Sequence, residues 1–280
     1  MAITLASLLC ACAGPTAGSR LVNIKLPRPD IDARIYKVVN GRELQVHIFY
    51  PPGYSAAGGQ HYPVAVSIHG GGWRNGPVEW GHGDARFMTT LGFVGMALEY
   101  RLANQGSVTA LDCMKDANSA VRWIRLYAQE LNIDPRRVLT IGHSAGGHLS
   151  LSTAMFPDIR EEGEDKKISS VPDAVVALAP AVKVAWDGYL RSPFSENIKA
   201  GDCSPMNNVR QLNIPILIIH GSDDEILPVR QPEEFVCKMK AAGNTIELKI
   251  FPGGRHNLFY ENKEGIRFWK EAVRDFVKNF

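Results

Sequence analysis

Short apolar runs alternate with stretches of helical composition along most of this 280-residue chain. The runs are rich in β-branched residues and are nearly continuous, which is typical of parallel strands that are buried on both faces. They occupy residues 62–68, 93–100, 137–141, 174–179 and 214–219, and a sixth run at residues 246–251, in which Glu247 and Lys249 alternate with apolar residues, is the last predicted strand. The helical stretches occupy residues 108–130, 148–155, 232–242 and 263–280. This alternation predicts a parallel sheet with helices on both faces.

A different pattern precedes these elements. Residues 33–39 and 43–50 alternate between polar and apolar side chains, and Asn40-Gly41 lies between them. An Asn-Gly pair flanked by two alternating runs predicts a tight antiparallel hairpin. With the six runs above, the chain is therefore expected to form an α/β domain whose twisted, mostly parallel sheet has eight strands and begins with an antiparallel hairpin.

Composition and charge narrow the classes of protein that this chain can belong to. Apolar residues make up 45% of the chain, charged residues make up 21%, and the formal net charge is +2 without a basic block. These values are ordinary for a globular domain and suggest neither nucleic acid nor an anionic membrane as a partner. The length suits one domain, which we expect to span residues 21–280.

The first 20 residues differ from the rest. Residues 1–14 form an apolar stretch that is too short to span a bilayer and ends in small residues, as the apolar region of a secretory signal does. No basic residues precede it, so a disordered start is the alternative. We expect an exported protein that is secreted, periplasmic or lipid-anchored, or a cytoplasmic one if this segment is not a signal. No stable membrane span is expected.

The first candidate catalytic motif is Gly142-His143-Ser144-Ala145-Gly146, which lies between an apolar strand and a helical stretch. A Gly-x-Ser-x-Gly segment in this setting predicts a nucleophile elbow. The turn is so tight that its serine takes a strained backbone conformation and its glycines leave no room for side chains. The Ser144 hydroxyl is thereby lifted above the sheet edge, next to the free N–H groups of a helix N-terminus.

Three further motifs follow other predicted strands. They are His69-Gly70-Gly71-Gly72-Trp73, His220-Gly221-Ser222-Asp223-Asp224 and Pro252-Gly253-Gly254-Arg255-His256. Because ligands of parallel sheets bind at the carboxyl ends of the strands, all four motifs are expected to meet at one edge. Consecutive glycines can offer backbone N–H groups to an oxyanion, and a carboxylate can orient an imidazole. The chain order Ser, Asp, His is that of α/β-hydrolases.

The remaining cysteines and histidines support no metal site. Cys113, Cys203 and Cys237 lie outside the first 20 residues, and no ligand spacing typical of a metal site occurs. A Cys203–Cys237 disulfide and ordinary thiols are both open alternatives. Histidines 47, 61 and 82 are expected at the surface or in loops, whereas His143 and His148 are expected to pack or hydrogen-bond beside Ser144.

With these motifs the chain resembles the α/β-hydrolase superfamily from residue 35 to the C-terminus. Within it, the chain is most similar to the esterases that include hormone-sensitive-lipase-like carboxylesterases and bacterial feruloyl and acetyl-xylan esterases. The four motifs carry the resemblance together with Glu99-Tyr100-Arg101-Leu102. In the family the last of these usually continues Ala-Pro, whereas here Asn104 follows Ala103.

The resemblance implies roles for single residues. It implies that Ser144 is the nucleophile, His256 the general base and Asp224 the acid that orients it. Asp224 is favoured over Asp223 by its spacing from Gly221 and Pro228. The N–H groups of an oxyanion hole would come from Gly71, Gly72 and Ala145. Neither a metal nor an organic cofactor is implied.

The expected activity is hydrolysis of short-chain or aryl carboxylic esters, which include acetyl or feruloyl esters of plant polysaccharides. Only a short segment precedes the hairpin where lipase-like relatives carry a helical cap, so lipid substrates are disfavoured. Residues 183–210 are expected to form a partial cover that brings Trp186 to the substrate, with Trp73 and Trp80 on the opposite wall. Two alternatives are an amidase or peptidase of the same fold and a non-catalytic binding protein. The partner is thus a small-molecule or polysaccharide-linked ester, and the sequence specifies no oligomeric state.

Overall fold

A twisted sheet runs through the protein in its computed structural model, which describes residues 23–24, 31–57, 59–184, 188–194 and 199–280. In these residues the sheet has nine strands in the order β1-β2-β3-β5-β4-β6-β7-β8-β9. The strands are β1 (Asn23–Ile24), β2 (Asp32–Val39), β3 (Arg42–Phe49), β4 (Tyr62–Ile68), β5 (Val94–Leu98), β6 (Ile133–His143), β7 (Ala174–Leu178), β8 (Ile216–Gly221) and β9 (Ile246–Phe251). The predicted segment 1–20 lies outside the described residues.

The pairing follows the predicted change from antiparallel to parallel. β2 and β3 form the hairpin around Asn40 and Gly41, which both have positive φ, as a tight turn of this kind requires. β3 pairs antiparallel with β5, and every pair from β5 through β4 to β9 is parallel. All eight predicted strands are confirmed. The two-residue strand β1 adds a ninth at the edge.

The helices lie on both faces because the parallel strands are apolar on both. They are α1 (His82–Thr89), α2 (Ala110–Leu126), α3 (Ala145–Met155), α4 (Gly188–Arg191), α5 (Arg230–Ala241), α6 (Leu258–Glu261) and α7 (Lys263–Phe276). Alternate residues of one strand show the arrangement, since Ile218 packs in the cluster that holds α5, whereas Leu217 and Ile219 pack in the cluster that holds α7. The same alternation along the other strands places α2, α3 and α5 on one face and α1 and α7 on the other.

One helix in this part of the chain was not predicted, and the expectation that His47 and His82 lie at the surface or in loops was wrong. The pattern did not predict α1, which is short and follows a single turn of 3₁₀ helix at Val78–Gly81. His47 of β3 and His82 of α1 are buried, whereas only His61 is exposed. The two buried imidazoles tolerate burial because His47 Nδ1 and His82 Nε2 share a hydrogen bond of 2.9 Å.

The three cysteines in the described residues are free thiols, so Cys203 and Cys237 do not form a disulfide. Within the same residues, no helix has the length and apolar character that a membrane crossing requires.

Candidate active site

Ser144 occupies the turn between β6 and α3, at the carboxyl edge of the sheet. Its φ of 57° and ψ of −118° lie outside the regions that residues other than glycine normally adopt. The turn is held because Ser144 N donates to Leu178 O at 2.9 Å and His148 N donates to Ser144 O at 3.0 Å. Ser144 is therefore a strained residue supported on both sides, as a nucleophile elbow requires.

The two glycines around Ser144 are needed for space. A Cβ atom on Gly146 would collide with the carbonyl oxygen of Ile68 at the end of β4, and one on Gly142 would collide with the backbone of Gly146. The first turn of α3 can thus approach the neighbouring strand closely. This approach brings the elbow next to the loop that follows β4.

His256 connects Ser144 to an acid on another loop. Its Nε2 atom lies 3.0 Å from Ser144 Oγ, and its Nδ1 atom lies 2.7 Å from Asp224 Oδ2. Because a carboxylate only accepts hydrogen bonds, Nδ1 carries the proton and Nε2 is left free to accept one from the serine. The side chains of His256 and Asp224 are almost fully buried.

Asp224 is fixed by three further contacts, two in its own loop and one to His220 of β8. Its Oδ1 atom accepts hydrogen bonds from Ile226 N at 2.9 Å and Leu227 N at 2.7 Å, and its Oδ2 atom lies 3.3 Å from His220 Nε2. His220 also donates through Nε2 to Leu227 O. Burial raises the pKa of Asp224, but the hydrogen bonds from His256 and Leu227 N and the charges of His256 and His220 together outweigh burial and leave that pKa below its ordinary value. The carboxyl group is thus held ionised.

Asp223 takes a different position. Its Oδ1 atom accepts a hydrogen bond of 2.6 Å from Ser222 Oγ in an exposed part of the same loop. The structure therefore brings Asp224, and not Asp223, to His256.

Residues 69–75, called the glycine loop from here on, follow β4 and pass beside Ser144. Gly71, Gly72 and Trp73 have φ angles of 109°, 61° and 62°, so three successive residues are in left-handed or related conformations. Arg74 N and Asn75 N both donate to Gly71 O, which closes the turn. No described residue accepts a hydrogen bond from the N–H groups of Gly71, Gly72 or Ala145. These donors are available to a ligand.

The motifs enclose a cleft of about 650 Å³, here called the serine cleft. The glycine loop, Ser144 and His256 line this cleft, and Leu190 of α4 contributes from the predicted cover segment. Three of its lining side chains are large and well exposed: Trp80 at 56%, Tyr260 at 45% and Ile226 at 43%. Exposed apolar groups that gather around one opening are typical of a binding site.

The structure describes only one of the two tryptophans that were predicted to bind substrate, Trp73 and Trp186. Trp73 lines the serine cleft, but it is only 1% exposed and its indole points into the core, where Nε1 donates to His148. Its contact with substrate stays a prediction. Trp186 lies outside the described residues. Tyr260 and Ile226 were missed because each follows its motif by a few residues and carries no signature of its own.

His143 packs between the motifs rather than against solvent. Its Nε2 atom donates a hydrogen bond of 2.9 Å to His256 O, and its ring contacts that of Tyr260 edge to face. Burial, followed by the charge of His256, lowers the pKa of His143 to about 3. His143 is thus a neutral support for the loop that carries His256. In the described residues, no three metal-ligating side chains lie close enough together to hold an ion.

The profile of the BD-FAE family matches residues 48–239, which is more than half of the chain and includes Ser144 and Asp224. The chain belongs to the BD-FAE family. The predicted α/β-hydrolase fold and the predicted esterase group are both confirmed by this match and by the relatives described next.

Solved structures of esterase 2 from Thermogutta terrifontis are similar over most of the chain. The form phosphoramylated by tabun is 31% identical with a TM-score of 0.82, and the alignment covers 91% of this chain and 97% of that one. The propionate-bound form has a TM-score of 0.81 at 31% identity, covering 89% and 94% of the two chains.

Two curated relatives match less of their own length. A probable isoprenylcysteine alpha-carbonyl methylesterase of Arabidopsis thaliana is 25% identical over 71% of this chain and 46% of its own. A probable carboxylic ester hydrolase of Mycobacterium tuberculosis, LipM, is 28% identical over 64% of this chain and 45% of its own. The chain therefore spans less than half the length of either relative.

Proposed function

We propose that this protein is a serine esterase that hydrolyses short-chain or aryl carboxylic esters through an acyl-enzyme. The observation that carries the proposal is the chain of two hydrogen bonds from Ser144 Oγ through His256 to Asp224, at the base of an open cleft. A hydroxyl, an imidazole and a carboxylate in this order are the parts that acyl transfer to serine needs.

The first half of the reaction forms the acyl-enzyme. His256 Nε2 takes the proton of Ser144 as Oγ attacks the ester carbonyl carbon. The oxyanion that forms is stabilised by the N–H groups of Gly71, Gly72 and Ala145. Asp224 stabilises the imidazolium and keeps Nε2 directed at the serine. The imidazolium then gives its proton to the alkoxide of the leaving alcohol, and the carbon–oxygen bond of the ester breaks.

The second half releases the acid. Water loses a proton to His256 and attacks the acyl carbon, and the same N–H groups stabilise the second oxyanion. The bond to Ser144 Oγ then breaks, and Oγ takes the proton back from the imidazolium. Every proton moves between Ser144, His256, water and the substrate, so the proposal uses neither metal nor cofactor.

The apolar rim of the serine cleft supports an aryl or short alkyl group in the substrate. Trp80, Tyr260 and Ile226 present exposed faces, and burying such faces against an apolar ligand is favourable by about 25 cal/mol per Å². Structures of the Thermogutta esterase have been solved with propionate and with butyrate bound to that protein. Short acyl groups are therefore the first substrates to test.

A second cleft of about 680 Å³ supports a polar alcohol part, such as a sugar of a plant polysaccharide. It lies beside the serine cleft, and Asn75 lines both. Its charged side chains balance, since they are Arg42, Arg74, Glu79 and Glu99. Amides of Gln45, Asn104 and Gln105 add neutral donors and acceptors, which suit hydroxyl groups. We propose acetyl and feruloyl esters of such polysaccharides as natural substrates.

The test is a substrate panel assayed with wild-type protein and with Ser144→Ala. The panel holds p-nitrophenyl acetate, butyrate and octanoate, methyl ferulate, acetylated xylan and an acyl anilide matched to the best ester. We expect the short-chain and aryl esters to be hydrolysed. Ser144→Ala should lose about six orders of magnitude in kcat while keeping its melting temperature, as removal of a triad serine does in other hydrolases.

Three outcomes would contradict the proposal. A folded Ser144→Ala variant with more than a few per cent of wild-type activity would show that Ser144 is not the nucleophile. An anilide hydrolysed faster than its matched ester would identify an amidase instead. A wild-type protein that turns over no member of the panel would favour a binding protein.

A further inference from the structure

Trp73 of the glycine loop and His148 of α3 form a buried hydrogen bond whose direction is fixed by chemistry. Trp73 Nε1 lies 3.2 Å from His148 Nδ1. Because an indole N–H can only donate, Nδ1 must be unprotonated and the proton must be on Nε2. That proton is donated to Cys203 O at 2.9 Å. Trp73, His148 and Cys203 are all buried, so neither bond competes with water.

This pair joins the two sources of free N–H groups beside Ser144. His148 lies in the first turn of α3, which also contains Ala145, and its own N–H donates to Ser144 O. Trp73 directly follows Gly71 and Gly72. One imidazole therefore connects the backbone that presents the Ala145 N–H to the backbone that presents the other two.

The glycine loop needs such an anchor because its conformation is unfavourable. Trp73 has a φ of 62°, which is a strained value for a bulky residue and persists only where the surroundings hold it. Trp73 O accepts a hydrogen bond of 2.7 Å from Ala103 N, and its ring meets those of His148 and Phe194 edge to face. The hydrogen bond from the Trp73 side chain to His148 is the last of the contacts that hold Trp73 in this conformation.

We propose that His148 is a positioning residue, which holds the Trp73 indole so that the Gly71 and Gly72 N–H groups keep their aim at the substrate carbonyl oxygen. His148 is fully buried and does not line the described part of the serine cleft, so it acts through Trp73 and touches no substrate. This inference rests on the proposed function. Burial lowers the pKa of His148 to about 4, so Nδ1 remains an acceptor at neutral pH.

The imidazole offers a test in which two conservative variants separate its two bonds. The amide of an asparagine lies where Nδ1 lies, and the amide of a glutamine reaches the position of Nε2. His148→Asn should therefore keep the acceptor for Trp73 and lose the bond to Cys203, whereas His148→Gln should do the opposite. Trp73→Phe removes the indole donor and leaves His148 in place.

We expect His148→Gln and Trp73→Phe to lower kcat about 10- to 100-fold with KM within about two-fold of wild type. Misplacing reacting groups by 1 Å can cost this much, and losing a whole oxyanion donor costs about 100- to 1000-fold. His148→Asn should stay within about three-fold of wild-type kcat. The double variant Trp73→Phe/His148→Gln should be no slower than the slower single variant, because both remove the same bond.

A stability control separates positioning from general damage. Asn118 of α2 is equally buried, and its amide donates to Phe156 O at 2.8 Å and Ile159 O at 2.7 Å. Asn118→Ala should lower the melting temperature without changing kcat. If the His148 variants do not fold, Trp73→Phe tests the same bond.

The inference is overturned if Trp73→Phe keeps wild-type kcat, if the loss appears in KM alone, or if His148→Asn is as slow as His148→Gln. Each of these results can be obtained only with an active wild-type enzyme. A wild-type protein without esterase activity would instead overturn the proposed function, so the two failures are distinguishable.

Discussion

His256 Nδ1 and Asp224 Oδ2 are 2.7 Å apart, although the two residues belong to loops that follow different strands. The Asp224 carboxylate can keep this position because backbone N–H groups of its own loop bind its other oxygen. The carboxylate of Asp223, one residue earlier, is exposed and bonds to Ser222. Two neighbouring acids of the same chemistry thus have different surroundings.

The same replacement at the two positions should therefore have different effects. Asp224→Asn is expected to lower kcat by roughly three to four orders of magnitude, since an amide favours the wrong tautomer of the imidazole. Asp223→Asn should change kcat little, because its side chain has no contact with His256. Both variants would be assayed on one short-chain ester after a check of folding by circular dichroism. If Asp223→Asn were the inactive variant, the assignment of the acid would be wrong.

Gly146 is expected to be intolerant of any side chain. In Gly146→Ala the new methyl group would meet the carbonyl oxygen of Ile68, which belongs to the backbone and cannot move without shifting β4. We expect this variant to be insoluble or to lose most activity together with a large fall in melting temperature. Gly83→Ala is the matched control, because its methyl group would meet nothing within 4 Å and would lie in helix α1.

Removing a glycine from a helix can stabilise a protein by about 1 kcal/mol. Gly83→Ala should therefore have a melting temperature equal to or above that of wild type. Gly146→Ala with normal stability and kcat would show that the elbow and β4 can separate, against the packing described.

The rim residue Trp80 should matter most for aromatic substrates. Its ring lies against Gly71 of the glycine loop and is more than half exposed at the cleft opening. Trp80→Ala is expected to lower kcat/KM for methyl ferulate about ten-fold and that for acetylated xylan, which carries no aromatic ring, by less, because stacked aromatic pairs contribute about 0.5–1.5 kcal/mol beyond their area burial. Val38→Ala, which removes an exposed apolar residue of β2, is the control. Equal losses on both esters in Trp80→Ala would contradict the prediction.

Stability should fall as pH decreases from about 6.5 toward 4. Burial lowers the pKa of His69 to about 4, that of His143 to about 3 and that of His148 to about 4. Unfolded histidines titrate near pH 6.5, so below that value the unfolded chain binds protons that the folded protein excludes. In this window, each histidine lowers the free energy of unfolding by about 1.4 kcal/mol for each pH unit of acidification. Denaturation midpoints at pH 7 that equal those at pH 5 would contradict the expectation.

Asp84 should have the opposite effect on the pH dependence of stability, because it favours the folded protein at low pH. Burial raises its pKa to about 7, against the hydrogen bond from Tyr260, which lies at 3.3 Å. Its contribution to stability is full below the unfolded pKa of about 3.9 and is lost as the pH rises through about 7. Asp84→Asn has no proton to lose, so its stability relative to wild type should improve between pH 4 and pH 7 and then stay level. A difference that stays constant between pH 4 and pH 7 would show that Asp84 is already ionised.

The sequence predicted the sheet well because β4, β5, β7 and β8 are buried along their whole length and so have nearly unbroken apolar runs, whereas the partly exposed edge strand β9 alternates apolar and charged residues. It also predicted which residues would lie together, since the motifs of Ser144, Asp224 and His256 each follow one of the predicted strands. Helix α1 has no comparable apolar run, and its buried residue His82 is polar, so the pattern did not predict this helix. The bond from Trp73 to His148 joins residues 75 positions apart and depends on a backbone angle that no local pattern reveals.

The distribution of the site over the sheet also determines when it can form. Ser144 and His256 are 112 residues apart, and His256 follows β9, the last strand of the described sheet. The hydrogen bond between them requires β6, β7, β8 and β9 to be paired, and pairings of such long sequence separation form slowly. A nascent chain still missing its last strand would therefore hold a strained serine without its base. Appearance of the Ser144–His256 pair therefore marks the pairing of β9 with the rest of the parallel sheet, and labelling of Ser144 during refolding would time it.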